Sequence, residues 1–269
     1  MFKRVVDITR FHKNSMEKVK DTILIETPID IIVNGEPLVN IVCLAKDLKY
    51  LGIGFLYSIG IINSFTDIED LSVDEIDNKI YIQLKKNIEV DLELLQNNPV
   101  SRVIDTSCGI SSPWRNIIKK SLDNQNLGYQ KNENFSVSVE IISKAVLEMQ
   151  KSTPLFKETG GCHGAAIFKQ TGNLVAVLED IGRHNAIDKI IGYALSKNID
   201  MSHIFLTTTG RLTGDSVLKA IRAKIPILAS LSAAIESGVR LAFGYGLTLI
   251  GFVRGKKMNI YTHSHRVHV

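Results

Sequence analysis

The second half of the sequence alternates segments of strand character with segments of helical character, and no other feature limits the fold as strongly. A hairpin pattern with Gly172 in its turn is followed by three apolar strand-like segments, HIFLTTTG, IPILAS and LTLIGFV. Strands that alternate with helices form a sheet covered by helices on both faces. The sequence therefore predicts an α/β fold with a mixed sheet, largely parallel in its later part. The helices are predicted over residues 137–151, 184–197, 215–224 and 233–243.

The first half is richer in strand patterns. Short β-branched runs occupy residues 22–42, and Asn34-Gly35 between them is typical of a tight hairpin turn. Residues 45–62 carry apolar side chains at helical spacing, and residues 79–86 return to strand alternation. The polar stretch 121–134 is the best linker candidate. We therefore predict a smaller, β-rich α+β domain over residues 1–132 and an α/β domain over residues 133–269.

Composition narrows the classes of function. The 32 Lys and Arg are scattered among 28 Asp and Glu, so the net charge of +4 predicts no nucleic-acid partner, while small anionic ligands stay open. The longest apolar run, residues 51–62, is shorter than the ~20 residues that a membrane-spanning helix requires, so we expect no membrane contact. The amino-terminal stretch lacks the apolar core of a signal peptide, and we expect a cytoplasmic protein.

The three cysteines are too few and too far apart for a disulfide framework or a zinc knuckle. Cys43 lies in an apolar run, which predicts a core position. Cys162 precedes His163, and neighbouring residues of a strand point to opposite faces, so we predict that Cys162 packs and His163 is functional. No metal site is predicted, because His163 is not followed by the glutamate that a zinc deaminase needs.

Cys108 lies in the stretch TSCGISSP and has the stronger case for reactivity. A thiol attacks as its thiolate, which a positive local potential stabilises. Backbone amides from Gly109 to Ser111, together with Arg102 and Arg115, are candidates to supply that potential. Two interpretations stay open, a working thiol on an exposed loop and a small buried residue in a turn.

Three segments place glycine beside a polar or cationic residue at the end of a strand: ETGGCHGAA, EDIGRHNAIDK and TTTGRLTGDS. In α/β sheets, ligands gather where strands end and helix amino termini present free amides. A single Gly-Arg pair is more often a turn with a solvated charge, but three such segments together predict a site for an anion or a heterocycle. The candidate residues are Gly160, Gly161, His163, Gly182, Arg183, His184, Thr209, Gly210 and Arg211.

The order of these segments resembles the formate dehydrogenase accessory sulfurtransferase family, FdhD. The resemblance is carried by TSCGIS, TGGCHGAA, EDIGRHNAIDKIIG, TTTGRLTGDSVLKA, IPILAS and LTLIGFVRGKKMNIYT, with VNGEP and GFLYSIGII also similar. It implies a cytoplasmic sulfurtransferase that takes persulfide sulfur from a cysteine desulfurase. The sulfur would go to the molybdenum or tungsten bis-pterin guanine dinucleotide cofactor of formate dehydrogenase. The resemblance also implies a homodimer and a cytidine deaminase-like carboxy-terminal part without zinc.

The resemblance assigns residues as well. The family's persulfide cysteine belongs to a Cys-Gly-x-Cys-Gly loop whose first cysteine matches Cys108. Arg183, His184, Arg211 and Arg254 would hold the anionic dinucleotide. The family's cofactor-binding stretch near the carboxy terminus, rich in cations suited to phosphate, maps onto Phe252, Val253, Arg254, Gly255, Lys256 and Lys257.

This sequence departs from the family pattern at two places. Ser111 and Ser112 replace the second cysteine of the loop and the glycine after it, so a dithiol relay is excluded, although one thiol still suffices to carry a persulfide. A cofactor-binding chaperone without sulfur transfer is therefore the alternative. Ile59 replaces an acidic residue of the amino-terminal helix, which puts one contact of that helix in doubt. A nucleotide-binding enzyme of deaminase ancestry would need a metal or base that the sequence does not show.

Overall fold

The computed structural model describes residues 2–88, 103–104 and 134–269, and it begins with a long hairpin that the sequence patterns did not predict. Strands β1 (Lys3–His12) and β2 (Ser15–Leu24) pair antiparallel along their whole length. Lys13 and Asn14 between them both have positive φ, 46° and 65°, as a two-residue turn of this hand requires. We missed the turn because it contains no glycine.

A five-stranded sheet follows in the first half. The hairpin predicted at Asn34-Gly35 is confirmed, since it joins β3 to β4 and both residues have positive φ. The strand order is β5-β6-β3-β4-β7. The strands are β3 (Thr27–Val33), β4 (Glu36–Cys43), β5 (Ile68–Asp74), β6 (Lys79–Leu84) and β7 (Val103–Ile104). Helix α1 (Leu48–Ile59) ends at Gly60, whose positive φ lets its amide bind the carbonyls of the last turn.

A six-stranded sheet organises the second half, in the order β10-β9-β11-β12-β13-β14. Strands β11, β12 and β13 run parallel to one another, as the alternation predicts, and the remaining neighbours are antiparallel. The strands are β9 (His163–Lys169), β10 (Leu174–Asp180), β11 (Ile204–Thr208), β12 (Ile227–Ser230), β13 (Thr248–Arg254) and β14 (Lys257–Ile260). A short parallel pair joins β8 (Val137–Ser138) to β15 (Val267–His268).

Helices cover both faces of this sheet, and the predicted mixed α/β class is confirmed. Ala166 and Phe168 of β9 belong to the apolar cluster that contains helix α2 (Val139–Lys151). Ala165 and Ile167 belong to the cluster that contains α4 (Arg183–Ser196) and α5 (Gly214–Arg222). The predicted start of the last helix is three residues early, because backbone hydrogen bonds tie 233–235 to Leu212 instead. The helices are α2 (Val139–Lys151), α3 (Pro154–Thr159), α4 (Arg183–Ser196), α5 (Gly214–Arg222) and α6 (Glu236–Gly244).

Helices α1 and α4 pack with their backbones in close approach. A Cβ atom added at Gly54 would lie 1.8 Å from the Asp188 carbonyl oxygen, and one at Gly192 would lie 2.0 Å from the Tyr50 carbonyl oxygen. One apolar core consequently runs from the five-stranded sheet through these helices to the six-stranded sheet. The domain boundary between residues 132 and 133 stays a prediction, because residues 105–133 lie outside the described ranges. No helix among the described residues is long and apolar enough to cross a membrane.

Candidate functional site

The three glycine-containing segments lie at one edge of the six-stranded sheet, which contains His163, Asp180 and Thr209 and which we call the polar edge. Strands β10 and β11 end at this edge, and β9 starts there because it is antiparallel to both. Asp180 at the end of β10 stands opposite His163, while Thr208 at the end of β11 stands opposite Ala165. Strand β12 ends beside β11 at Ser230. The topology therefore brings together residues that are far apart in sequence.

Thr209 fixes His163 at this edge. The Thr209 hydroxyl lies 3.0 Å from His163 Nδ1 and accepts a hydrogen bond of 3.1 Å from the Gly164 amide. The Thr209 amide in turn donates to the Gly164 carbonyl at 3.0 Å. A side chain on Gly164 would not fit, because its Cβ would lie 2.5 Å from Thr153 Cγ2. The start of β9 and the end of β11 thus hold the imidazole in one place.

Two arginines make the surroundings of His163 positive. Burial lowers the pKa of His163, and the charges of Arg183 and Arg211 lower it further, against the opposing charge of Asp180. The imidazole is therefore neutral at neutral pH. Gly210 leaves room for Arg183, since a Cβ at Gly210 would lie 2.8 Å from Arg183 Cβ. A neutral imidazole beside two guanidinium groups suits a ligand that carries negative charge.

The buried carboxylate of Asp180 binds several groups that lie beneath this edge. Asp180 accepts hydrogen bonds from the amides of Leu44 and Gly182 at 3.1 and 2.8 Å and from Asn185 Nδ2 at 3.0 Å. Lys189 Nζ lies 2.6 Å from the same carboxylate, and both side chains are fully buried. Asp180, Asn185 and Lys189 all lie within the motif EDIGRHNAIDK, but no sequence pattern marks them as a group.

The same network binds the end of β4. Asn185 Nδ2 donates to the Val42 carbonyl, and Lys189 Nζ donates to the Leu44 carbonyl, each at 3.0 Å. Strand β7 lies beside β4, with Ile104 opposite Ile41. The five-stranded sheet is therefore attached to the polar edge at the point where β4 ends.

Both described cysteines are unsuited to nucleophilic attack. Cys43 is fully buried, and burial raises the pKa of its thiol far above its ordinary value. Burial also raises the pKa of Cys162 to about 12, with help from the charge of Glu179, whose Oε1 lies 3.6 Å from the sulfur. Both are protonated at neutral pH, and the predicted packing positions are confirmed. Cys108, Ser111 and Ser112 lie outside the described residues.

The carboxy-terminal cationic stretch starts from the same edge. The Phe252 amide donates to the Ser232 carbonyl at 3.0 Å, and Ser232 Oγ donates to the Thr209 carbonyl at 2.9 Å. Val253 is buried, whereas the Arg254 guanidinium lies exposed, 5.8 Å from the centre of the Phe252 ring. The turn between β13 and β14 follows, with a positive φ at Gly255 and exposed ammonium groups on Lys256 and Lys257.

The remaining predicted residues contribute less directly to the surroundings of His163. His184 is buried, with its Nε2 3.1 Å from Thr213 Oγ1, so its ring faces the interior. Gly160 and Gly161 are exposed after α3, where Gly160 has a positive φ. Gly182 lies beneath the edge, since a Cβ there would approach Asn185 Nδ2 to 2.7 Å. Within the described ranges, no group of three or more His, Cys, Asp or Glu side chains is placed to hold a metal ion.

The known proteins that are similar to this chain all point to one family. The family model described as FdhD/NarQ family matches residues 24–268. A curated protein named Sulfur carrier protein FdhD from Saccharolobus solfataricus is 34% identical, with 97% of each chain covered. The protein of the same name from Bacillus subtilis is 31% identical, with 98% of this chain and 97% of its own covered. A crystal structure described as a putative formate dehydrogenase accessory protein from Desulfotalea psychrophila covers both chains fully, with a TM-score of 0.77 at 24% identity.

Proposed function

Because the chain belongs to the FdhD/NarQ family, we propose that it is a sulfur carrier that serves the maturation of formate dehydrogenase. The names of its relatives support the carrier role. In the finer proposal, the sulfur comes from a cysteine desulfurase and goes to the molybdenum or tungsten bis-pterin guanine dinucleotide cofactor, bound as a substrate. A cytoplasmic location, a homodimer and a cytidine deaminase-like carboxy-terminal part stay predictions.

Cys108 is the proposed sulfur acceptor. Its thiolate attacks the outer sulfur of the donor's persulfide, the sulfur–sulfur bond of the donor breaks, and the donor cysteine leaves as a thiolate. Cys108 then carries the persulfide, and no external oxidant or reductant takes part. The burial and raised pKa of Cys43 and Cys162 support this assignment, because neither is a thiolate at neutral pH.

The observation that carries the proposal is the attachment of β4 and β7 to the polar edge. Leu44, at the end of β4, donates to Asp180, and Ile104 lies in the neighbouring strand β7. Cys108 follows Ile104 by four residues, and four extended residues span at most about 14 Å. This short separation in sequence supports the proposal that Cys108 acts at the edge containing His163.

The proposed place for the dinucleotide is that edge and the cationic turn beyond it. Arg183 and Arg211 lie near His163, and Arg254, Lys256 and Lys257 add exposed positive charge at the end of β13 and in the turn that follows it. Phosphate groups favour such fixed cations, and arginine adds two parallel donors. The exposed ring of Phe252, close to Arg254, offers a flat apolar surface for a heterocycle.

Mass spectrometry after incubation with a cysteine desulfurase and cysteine tests the carrier role. We expect the wild-type chain to gain one labile sulfur atom, Cys108→Ala to gain none, and Cys162→Ala to gain as much as the wild type. Cys162→Ala is the matched control because it also removes one thiol. A labile sulfur that persists in Cys108→Ala would exclude Cys108 as the acceptor.

The absence of a second loop cysteine favours a different candidate, a chaperone that binds the cofactor without transferring sulfur. Ser111 is the observation behind it. Complementation of a host that lacks its own carrier separates the two functions. Formate dehydrogenase activity restored by the wild type alone supports sulfur transfer. Activity restored equally by the wild type and by Cys108→Ala supports the chaperone.

A further inference from the structure

The hairpin β1–β2, which we call the arm, is joined to the rest of the chain mainly at its base. Lys3 Nζ lies 3.0 Å from the Glu158 carboxylate, and Leu24 approaches Gly161. The arm forms a two-stranded sheet of its own, without a further described strand. Ten extended residues span about 33 Å, and a two-stranded hairpin alone is marginally stable in water. An arm of this length gains stability when another surface covers it.

One face of the arm combines apolar and positive side chains. Residues directly opposite one another in an antiparallel pair share a face, so Phe11 and Met16 stand side by side at the tip, 64% and 77% exposed. Val5, Lys18 and Lys20 lie on the same face by strand alternation. Residues 3–24 contain six Lys or Arg and three Asp or Glu. The arm therefore presents a basic surface with an apolar tip.

A complementary surface lies on the five-stranded sheet. Strand β5 is the outermost described strand on its side, so its outer backbone groups face away from the sheet. Residues 67–77 contain six acidic residues and neither lysine nor arginine. Glu69, Asp70 and Glu75 are exposed. We call this surface the acidic edge.

A cavity opens beside the acidic edge. Its volume is about 420 Å³, and Ile53, Phe65, Ile68 and Leu71 form its apolar lining. The rim includes Glu69 and Asp70, together with Lys49 and Lys197. The two lysines and two carboxylates of the rim offset one another in charge, and the four apolar residues of the lining suit a large apolar side chain. Phe11 at the tip of the arm has that character.

The two surfaces lie at opposite ends of α4. The base of the arm approaches Gly161, beside the edge where α4 begins, while Ser196 and Lys197 at the other end of α4 line the cavity. A helix of 14 residues is about 21 Å long. Val5, Phe11 and Met16 of the arm also stay exposed within the chain. We propose that the arm of one subunit docks on the acidic edge of a second copy, with Phe11 in its cavity.

Charge reversal tests this pairing in the full-length chain. We expect a wild-type dimer in sedimentation velocity, with dissociation constants at least about tenfold higher for Lys18→Glu/Lys20→Glu and for Glu69→Lys/Asp70→Lys. A mixture of the two variants should form heterodimers, because in a heterodimer the unchanged arm of one chain meets the unchanged edge of the other, a pairing that neither variant can form with itself. The matched control, Lys151→Glu/Lys169→Glu, changes as much charge elsewhere and should stay dimeric. Phe11→Ser should weaken the dimer without changing its salt dependence.

Three results would overturn the pairing: a monomeric wild type, a dimer that withstands both reversals, or a mixture that stays monomeric. Circular dichroism of each variant shows whether it is folded. The pairing does not depend on sulfur transfer, and labile sulfur measured on the same variants keeps the two proposals separate.

Discussion

The two halves of helix α4 have different neighbours: charged and polar groups surround its first turn, and helix α1 packs against its later part. Its first turn lies under the polar edge, where Arg183 contributes to the field around the half-buried His163. Further along, the helix is packed against α1 so closely that Gly54 and Gly192 leave no space for a side chain. The first region places charged groups around a half-buried imidazole, whereas the second leaves no space between its two helices. We therefore expect substitutions in the second region to change stability and those in the first to change ligand binding.

Each region has its own buried pair of aspartate and lysine. In the first, Asp180 and Lys189 both bind backbone groups at the end of β4. In the second, Asp188 of α4 accepts from Lys219 of α5 at 2.6 Å and from Ser58 Oγ of α1 at 2.6 Å. One carboxylate thus joins three helices. The neighbouring Ile59, where the family pattern has an acid, is fully buried.

The largest expected effect is in the helical pair. Lys219→Met removes the ammonium and leaves the Asp188 carboxylate buried with only Ser58 as a side-chain donor. Breaking a buried pair in this way costs about 3–5 kcal/mol. Urea unfolding should show that loss, while Lys144→Met, which removes an exposed pair with Glu140, should leave the midpoint unchanged.

The double variant Lys219→Met/Asp188→Leu sharpens this first test. It removes both charges and fills their volume with apolar groups, so it should be more stable than Lys219→Met alone. Equal instability of the two variants would mean that the lysine acts through packing and not through its charge.

The next effect concerns the backbone contact of α1 and α4. In Gly192→Ala the new methyl group would lie 2.0 Å from the Tyr50 carbonyl oxygen, so the helices must separate. We expect a loss at the upper end of the roughly 1–3 kcal/mol that overpacking costs, measured by thermal or urea unfolding. Gly244→Ala is the control, because no atom lies within 4 Å of the added Cβ, and it should leave the stability unchanged or slightly higher. A tolerated Gly192→Ala would show that α1 and α4 can slide apart.

The sequence predicted the elements better than their contacts. The Asn34-Gly35 turn and the strand–helix alternation are local signals, and both are confirmed. Strand order then places the ends of β10 and β11 at one edge, so the glycine-containing segments were found as a group. The arm was missed because Lys13-Asn14 lacks the glycine that marks such turns.

Long-range contacts leave no comparable local signal. Asp188 meets Lys219 and Ser58 across separations of 31 and 130 residues, and no spacing rule covers either distance. Gly54 and Gly192 look like ordinary helix-weakening glycines until the two helices are placed side by side. For the same reason, sequence patterns do not show that any side chain at Gly210 would collide with Arg183.

The smallest expected effect is a shift in the pKa of His163, followed by NMR titration of its ring protons. Burial is the main cause of the lowered pKa, and Arg183 contributes more to it than Arg211. Arg183→Gln should therefore raise this pKa, and Arg211→Gln should raise it by less. Arg240→Gln, an exposed change on α6, should leave it unaltered. An unchanged pKa in both edge variants would remove these arginines from the surroundings of the imidazole.

This titration also connects stability with ligand binding. Because the folded pKa of His163 is lowered, the unfolded chain binds more protons as the pH falls below about 6.5, and the folded state loses stability from that point downward. Arg183→Gln should reduce this loss of stability at low pH, because it brings the folded pKa of His163 closer to the unfolded value. An anion bound between Arg183 and Arg211 adds negative charge beside the imidazole, so inorganic pyrophosphate should raise the pKa of His163. If pyrophosphate binds and leaves the titration unmoved, its site is elsewhere, and the polar edge is not where the phosphates are held.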